Sequence, residues 1–482
     1  MAGLGLSFTT PSVLSKCLQN ALNALTMRHL SAPPNRTTIV PDNFFLDAYP
    51  DYKRQFLNHY HEHLSKWKEG RTQAKLRSID ESILFDKVER NKAKSFIKTE
   101  VTAVPPKKAR LIQGNQNDCT AYEQPDSYRA IAETLKGFAK QVFERAGIKF
   151  RLIYASGMNA DALSAAFNDA IAESRHNLFD ERDGRNWDAT MQEPLLRREA
   201  EFYHHLDPKI AKAFLSRSAL TRGKIRTPNG TLKYTTSWKR LSGDWNTSVG
   251  NSLVSMLIAV HALTHLPAAL RPKRVTAFFL GDDYLGVYGY DVQVPPCVAL
   301  SSALDDMESA CGITPVRGVF TDPTRAEFIS MTVWPKYDGT YYFVPKFTNM
   351  AAKLFWSIHP LSRHTASDVQ ATVQAFRPVF AGFTFMERFL SWHAKRFPTK
   401  RSLVAPSQFL KPYKQRLIEG CTAGVAWSEG FIRKFALPIT ILDFDLPLGN
   451  TAMWLEQPSM THLFGLEHQD PDKRMNTRPG HL

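Results

Sequence analysis

Apolar residues near the start of the chain, Val13, Leu14, Cys17, Leu18, Ala21, Leu22 and Leu25, recur at helical spacing and predict an amphipathic helix. The Pro-, Ser- and Thr-rich segment 31–42 that follows reads as a linker. Helical stretches then alternate with a Pro-broken basic segment at 98–113, whose Ala109-Arg110-Leu111-Ile112 end suits a strand. Ser252 to Leu263 make an apolar run of helix length. Val275 to Tyr290 are strand formers broken only by Gly281-Asp282-Asp283, which predicts a hairpin with two carboxylates at its turn. Beyond residue 346 the pattern becomes helical and aromatic, with a basic, Pro-interrupted stretch at 396–414, as a separate C-terminal subdomain would have. No repeat period is visible.

At 482 residues the chain exceeds the usual size of one hydrophobic core, so two or three subdomains sharing a groove are expected. Lys and Arg number 61 against 46 Asp and Glu, and the resulting net charge of +15 suits a polyanionic partner. Charge alone does not separate nucleic acid from a membrane surface. The five cysteines, Cys17, Cys119, Cys297, Cys311 and Cys421, are scattered and form no Cys-x-x-Cys pair. That argues against a disulfide framework or a zinc knuckle and fits a reducing, cytosolic compartment. The best apolar stretch, Leu253 to Leu263, is broken by Ser255 and His261, so no segment is expected to span a bilayer. The first 41 residues contain no Asp or Glu. Their helix can dock on the protein's own core, lie on a membrane surface or act as a transit sequence, and these readings stay open.

Three segments carry chemistry. Joining nucleotides by phosphoryl transfer needs two divalent cations roughly 4 Å apart, bridged by carboxylates, and the Gly281-Asp282-Asp283 turn offers two. A second carboxylate source should lie on a neighbouring strand, and Asp180 to Met191 supplies it: Asp183 can end a strand beside the hairpin while Asp188 begins the next helix. An ordinary turn and a helix cap are the plainer readings of these two segments. The third is Ser242-Gly243-x3-Thr247-x3-Asn251, running into the apolar helix. Thr247 and Asn251 share one helix face, where a hydroxyl and an amide can converge on one polar ligand, and Ser242-Gly243 gives a pliant loop. His59, His61 and His63 alternate in a short polar segment and read as a solvated face. Neither a Walker A loop nor a His-Glu-x-x-His is present.

Taken together, residues 95 to 355 resemble the RNA-dependent RNA polymerases of positive-strand RNA viruses, nearest to the nodavirus-like and tombusvirus-like group. Asp183-x4-Asp188 is similar to motif A of that family, Ser242 to Asn251 to motif B, and Gly281-Asp282-Asp283 to motif C, in unpermuted order. Lys98-x-Glu100 with Lys107-Lys108-Ala109-Arg110 is similar to motif F, whose basic side chains cover the incoming triphosphate. Glu327 to Ser330 with Val344-Pro345-Lys346 is similar to the motif E strand pair. Motif D of the family usually carries a Lys general acid, and here Arg317 stands in that stretch. Arginine rarely gives up a proton, which leaves an electrostatic role for Arg317, proton transfer by Lys336 or water, or a displaced alignment.

The resemblance implies an α+β right-hand polymerase: fingers, a palm with an antiparallel sheet backed by helices, and a helical thumb. The corresponding division is an N-terminal amphipathic extension and linker at 1–41, and fingers with motif F at 42–175. A palm follows at 176–345 with an insertion into the fingers near 195–240, then a thumb and C-terminal tail at 346–482. It implies that Asp183, Asp282 and Asp283 hold Mg²⁺, with Mn²⁺ able to substitute, while Asp188, Ser242, Gly243, Thr247 and Asn251 bind nucleotide and sense the ribose 2′-hydroxyl. Lys98, Lys107, Lys108 and Arg110 would bind triphosphate. Implied partners are the RNA template, nascent RNA and ribonucleoside triphosphates, with membrane-surface association through the N-terminal helix as a further reading. The implied location is the host-cell cytoplasm, at membrane-associated replication sites if that helix lies on a membrane. A reverse transcriptase is the nearest rival, disfavoured because hydrogen-bonding Asp188 stands where such enzymes carry an aromatic block. A non-catalytic RNA-binding protein would explain the charge but not the carboxylates.

Overall fold

The computed structural model describes residues 12–13, 16–68, 92–98, 101–102, 109–114, 125–336, 338–346 and 366–377, with single helical residues at 73–77 and 387–395. Lys107 and Lys108, and most of the expected C-terminal subdomain, lie outside the described residues. Mixed helices and sheets make the fold α+β.

The expected hairpin forms as β10 (Arg274–Leu280) and β11 (Asp283–Tyr290), and its register sets Leu280 opposite Asp283. Gly281 and Asp282 alone make the turn. Gly281 has a φ of +69°, which a two-residue hairpin tolerates best at its first central position when that residue lacks a Cβ. Around the hairpin a six-stranded sheet is built in the order β12-β7-β11-β10-β6-β5, from β5 (Phe143–Arg145), β6 (Ile148–Tyr154), β7 (His176–Gly184) and β12 (Pro315–Phe320). All its neighbours are antiparallel except β6 and β10.

Alternation along these strands sends side chains to two apolar layers. Phe150, Leu152, Ala277, Phe279, Tyr284 and Tyr288 face α3 (Pro125–Phe138), α6 (Glu193–Leu206), α8 (Thr247–Thr264) and α9 (Cys297–Ala310). Ile153, Phe179, Phe278, Leu285 and Val287 face α4 (Ala160–Ala172), α10 (Ala366–Phe376) and a small sheet of β13 (Glu327–Phe328), β14 (Met331–Pro335) and β15 (Tyr341–Pro345). The apolar run expected at 252–263 is the interior of α8. Among the described residues α8 alone is long and apolar enough to cross a membrane, and it is buried in the core of this fold. The helix begins at Thr247, so Thr247 and Asn251 both lie on it, as their spacing requires.

A second sheet, β4-β2-β8-β9, is made by β2 (Lys92–Ile97), β4 (Leu111–Gly114), β8 (Thr221–Thr227) and β9 (Gly230–Thr236); β1 (Ser12–Val13) pairs with β3 (Val101–Thr102). Helix α1 (Leu18–Leu25) lays Ala21, Ala24 and Leu25 on Ile97, Leu111, Ile225 and Tyr234 of that sheet. Of the stripe that left a membrane reading open, Cys17, Ala21 and Leu25 are buried on the protein itself, Leu22 stays exposed, and Val13 falls outside the helix, in β1. The chain then crosses to the end of α9, where the Asn35 amide donates to Ile313 O at 2.7 Å and Thr38 N to Ala310 O at 2.8 Å. His59 and His61 lie on α2 (Tyr52–Lys68), one on a half-buried and one on an exposed position.

Beneath the six-stranded sheet lies a layer of buried charge. Arg182 of β7 donates to Glu308 of α9 at 2.7 Å, and Arg317 of β12 pairs with Glu308 at 2.5 Å and with Asp180. Tyr288 donates to Asp180 at 2.5 Å and meets Tyr284 at 2.7 Å. The Arg182 guanidinium also donates to Ser255 of α8 and stacks 4.6 Å above the Tyr284 ring. Two guanidiniums against two carboxylates leave the layer neutral, the condition for burying charge at tolerable cost. Burial raises the Asp180 carboxyl, whereas Glu308 is held below the usual carboxylate range because Arg182 and Arg317 outweigh its burial.

Candidate active site

Four carboxylates meet at one end of the six-stranded sheet. Tyr284 pairs with Arg182, so the next step of the same register brings Asp183, at the end of β7, beside Asp283 at the start of β11. Both point to the same side of the sheet. Asp282 occupies the turn, and Asp188 sits one short helix further on, in α5 (Trp187–Thr190). Asn186 enters that helix with a left-handed φ of 53°, which lets the chain reverse immediately after β7. The turn is anchored from below: Ser252 of α8 accepts a hydrogen bond from Gly281 N at 2.8 Å, while its own hydroxyl donates to Ser248 O.

Crowding leaves an electrostatic signature. Asp282 is pushed from 3.8 up to about 7, first by burial and then by the charges of Asp283, Asp188 and Asp183. On the same side of the sheet Glu181 is raised to about 7, by burial and then by Glu327, while Lys346 pairs with Glu327. Of the strand pair expected at 327–330 and 344–346, Glu327–Phe328 form β13 while Ile329 and Ser330 turn at positive φ, and β14 separates β13 from β15, so these two strands are not paired directly.

The ribose-binding candidates assemble beside this ledge of carboxylates. Ser242 donates to one oxygen of Asp188, and the Asn251 amide donates to the other at 3.2 Å. Thr247 turns away from this pair: its hydroxyl lies 2.7 Å from Leu241 O and 2.9 Å from Asp244 O, so it fastens the loop that leads into α8. The expected convergence of Thr247 and Asn251 on one ligand is replaced by Asn251 with Ser242, because Thr247 is the first residue of the helix and its side chain closes the preceding turn. Gly243 is needed for contact, since a Cβ there would come within 2.4 Å of Gln113 O on β4. That contact ties the loop to the strand following Arg110. Lys98 N donates to Arg110 O at 2.8 Å, which brings these two triphosphate candidates together at adjacent strand ends.

Arg317 is not at this site. Its strand places it opposite Arg182, and its guanidinium is locked among Asp180, Asp305 and Glu308 in the layer below. Lys336 lies in the turn between β14 and β15, 3.7 Å from Asp338. The stretch compared with motif D therefore contributes buried structural charge, and Arg317 has no position from which to act on a reacting phosphate.

Several residues that hold the site escaped the sequence reading. Glu199, Arg240 and Asn246 form a buried cluster behind Asn251, and Ser252 holds the carboxylate turn. One signal was readable for Glu199: it falls on the apolar stripe of an amphipathic helix with Leu195, Leu196, Phe202, Tyr203 and Leu206, where a charge must have a buried partner.

The donor set fits a hard divalent cation, since every ligand candidate is a carboxylate. Among the described residues no group of three or more His, Cys, Asp or Glu side chains is arranged to hold a metal ion as it stands.

The described residues thus set carboxylates on a hairpin turn of a mixed sheet beside hydroxyl and amide donors from an adjoining loop and helix. Residues 152–289, which contain Asp183, Asp188, the Ser242–Asn251 loop and the hairpin but not β5 or β12, match the family described as viral RNA-dependent RNA polymerase. A stretch of 104 residues is 30% identical to the RNA-directed RNA polymerase of Panicum mosaic virus (strain United States/Kansas 109S), and it covers 21% of this chain and 10% of that protein. These two matches bear out the resemblance to the polymerases of positive-strand RNA viruses.

Proposed function

We propose that this chain is an RNA-dependent RNA polymerase that copies a viral RNA genome, with the six-stranded sheet as palm and the four-stranded sheet as part of the fingers. The observation that carries the reading is the meeting of Asp183, Asp282 and Asp283 with the Asp188–Ser242–Asn251 group at one sheet end. Asp183, Asp282 and Asp283 would hold two Mg²⁺ ions, which supply charge stabilisation at the attacking 3′-oxygen and the leaving pyrophosphate. Ser252 keeps Asp282 at its station through Gly281 N. Asp188 accepts a ribose hydroxyl hydrogen bond, and Asn251 and Ser242 fix its carboxylate in place. Arg110 and Lys98, with Lys107 and Lys108, present positive charge to the triphosphate.

Template binding has a candidate surface in the β2-β8-β9 face turned away from α1. Lys94 pairs with Lys224, and Lys224 with Lys233, so three exposed ammonium groups lie in one row across three strands, with exposed Arg222 and Arg226 on the same face. A phosphate backbone laid over them releases counterions. Changing Lys94, Lys224 and Lys233 together to Ala is expected to lower the slope of log affinity against log salt by about 2 for single-stranded RNA, at roughly 0.7 per phosphate contact. The fold should be unaffected, because all three are exposed. A fluorescence-anisotropy salt titration checks this, and an unchanged slope removes the face from the reading.

The function is tested by supplying purified chain, Mg²⁺ and labelled nucleotides with RNA or DNA templates. The polymerase reading predicts ribonucleotide incorporation on RNA. Deoxynucleotide incorporation on RNA would instead identify a reverse transcriptase, and RNA binding without incorporation a non-catalytic binder.

A further inference from the structure

Asn251 can report on a ribose only if its amide points the right way, and the structure contains a device that sets this. Arg240, in the loop before α8, is 2% exposed, and Glu199 on α6 is fully buried. The Arg240 guanidinium donates through Nη1 to Glu199 Oε1 at 3.1 Å and through Nη2 to Glu199 Oε2. Its third edge is aimed elsewhere: Nε donates to Asn251 Oδ1 at 2.8 Å. At its other end Asn251 Nδ2 donates to Asp188 Oδ1 at 3.2 Å.

A guanidinium can only donate and a carboxylate can only accept, so an amide caught between them has one satisfactory orientation. Turning Asn251 over would set its NH₂ against the guanidinium and its oxygen against the Asp188 carboxylate, losing two charge-assisted hydrogen bonds and gaining two repulsions. Glu199 in turn fixes Arg240. Its Oε1 also accepts from Tyr203 at 2.6 Å and from Asn246 at 3.2 Å, so the carboxylate is held by α6 itself and by the loop before α8. The helix makes room for the pair: a Cβ on Gly250 would lie 2.2 Å from Glu199 Oε1 and 2.8 Å from Arg240 Nη1.

We infer that Glu199 and Arg240 are positioning residues for ribose selection, acting through the Asn251 amide on Asp188 and touching no nucleotide themselves. The inference rests on the polymerase reading, with Asp188 and Asn251 as the sugar contacts. Removing one member of a buried ion pair strands the other's charge and can unfold the protein, so the informative variant removes both. Glu199→Leu with Arg240→Met replaces the pair by apolar groups of similar volume while deleting the Nε donor.

The experiment measures kcat and KM for ribonucleotides and 2′-deoxynucleotides on an RNA template, together with thermal midpoint and RNA affinity. The double variant is expected to melt earlier, because Tyr203 and Asn246 lose their acceptor, but to stay folded with its RNA affinity, while the ribo-to-deoxy ratio of kcat/KM falls about tenfold, mainly through a higher ribonucleotide KM. Arg240→Lys, which keeps the charge but lacks the fork, should lower the ratio in the same direction. A folded double variant with the wild-type ratio overturns the positioning role and leaves the polymerase reading standing. A wild-type chain that incorporates neither nucleotide class overturns both. If the double variant is unfolded, Arg240→Lys decides alone, and a wild-type ratio there overturns the inference.

Discussion

Asp282→Asn should lower ribonucleotide incorporation by about a thousandfold or more in Mg²⁺, with the fold and RNA affinity retained. Asn keeps the size and one oxygen of the side chain but removes the charge that draws a cation to the ledge. The same substitution should stabilise the metal-free protein. Asp282 is raised from 3.8 to about 7 by burial and by its three neighbouring carboxylates. Between those values the folded chain holds a proton that the unfolded chain has lost, so stability falls as pH rises from about 4 to about 7. Asp282→Asn removes that contribution. Its melting midpoint in a chelating buffer should exceed the wild type's above pH 7 and converge with it below pH 4, with part of the wild-type slope surviving through Glu181, also raised to about 7. Identical midpoints across the range would mean that Asp282 is neither desolvated nor crowded by its neighbouring carboxylates.

Glu308→Ala should be among the most destabilising single changes in the described part of the chain, at about 3–5 kcal/mol. It strands two buried guanidiniums, Arg182 and Arg317, with Asp180 as the remaining buried carboxylate. Denaturant unfolding measures the loss, and a cost below 1 kcal/mol would show that water reaches the layer. Arg317→Met makes the complementary point. If Arg317 acted on the reacting phosphate, this variant would stay folded and be inactive. The buried geometry predicts the reverse, a less stable protein whose folded fraction incorporates nucleotides at close to the wild-type rate.

The contrast between Asp282 and Arg317 shows what the sequence could carry. The hairpin was legible because strand formers run on both sides of Gly281-Asp282, and the apolar run of α8 because its length and composition leave few other structures. Asp183, Asp188, Ser242 and Asn251 were legible as residue types at fixed spacing near predicted element ends. The place of Arg317 stayed open because its role depends on lateral strand order: only when β12 lies beside β7 does it face Arg182 and reach Asp180 and Glu308. The Glu199–Arg240 pair joins positions 41 residues apart, with no local pattern linking them. The N-terminal helix was ambiguous for a related reason, since an amphipathic stripe states that something covers it without stating what; the four-stranded sheet covers Ala21, Ala24 and Leu25 and leaves Leu22 exposed.

Template-directed synthesis is read most directly from where the product stops. An RNA template of defined sequence is given to the purified chain with Mg²⁺ and three of the four ribonucleotides, and the product is sized at single-nucleotide resolution. Extension should halt one position before the template base that requires the missing ribonucleotide, and should resume when that ribonucleotide, but not its 2′-deoxy form, is added. Products whose length ignores the omitted nucleotide, or the absence of any product in both Mg²⁺ and Mn²⁺, would contradict an RNA-templated polymerase built on Asp183, Asp282 and Asp283.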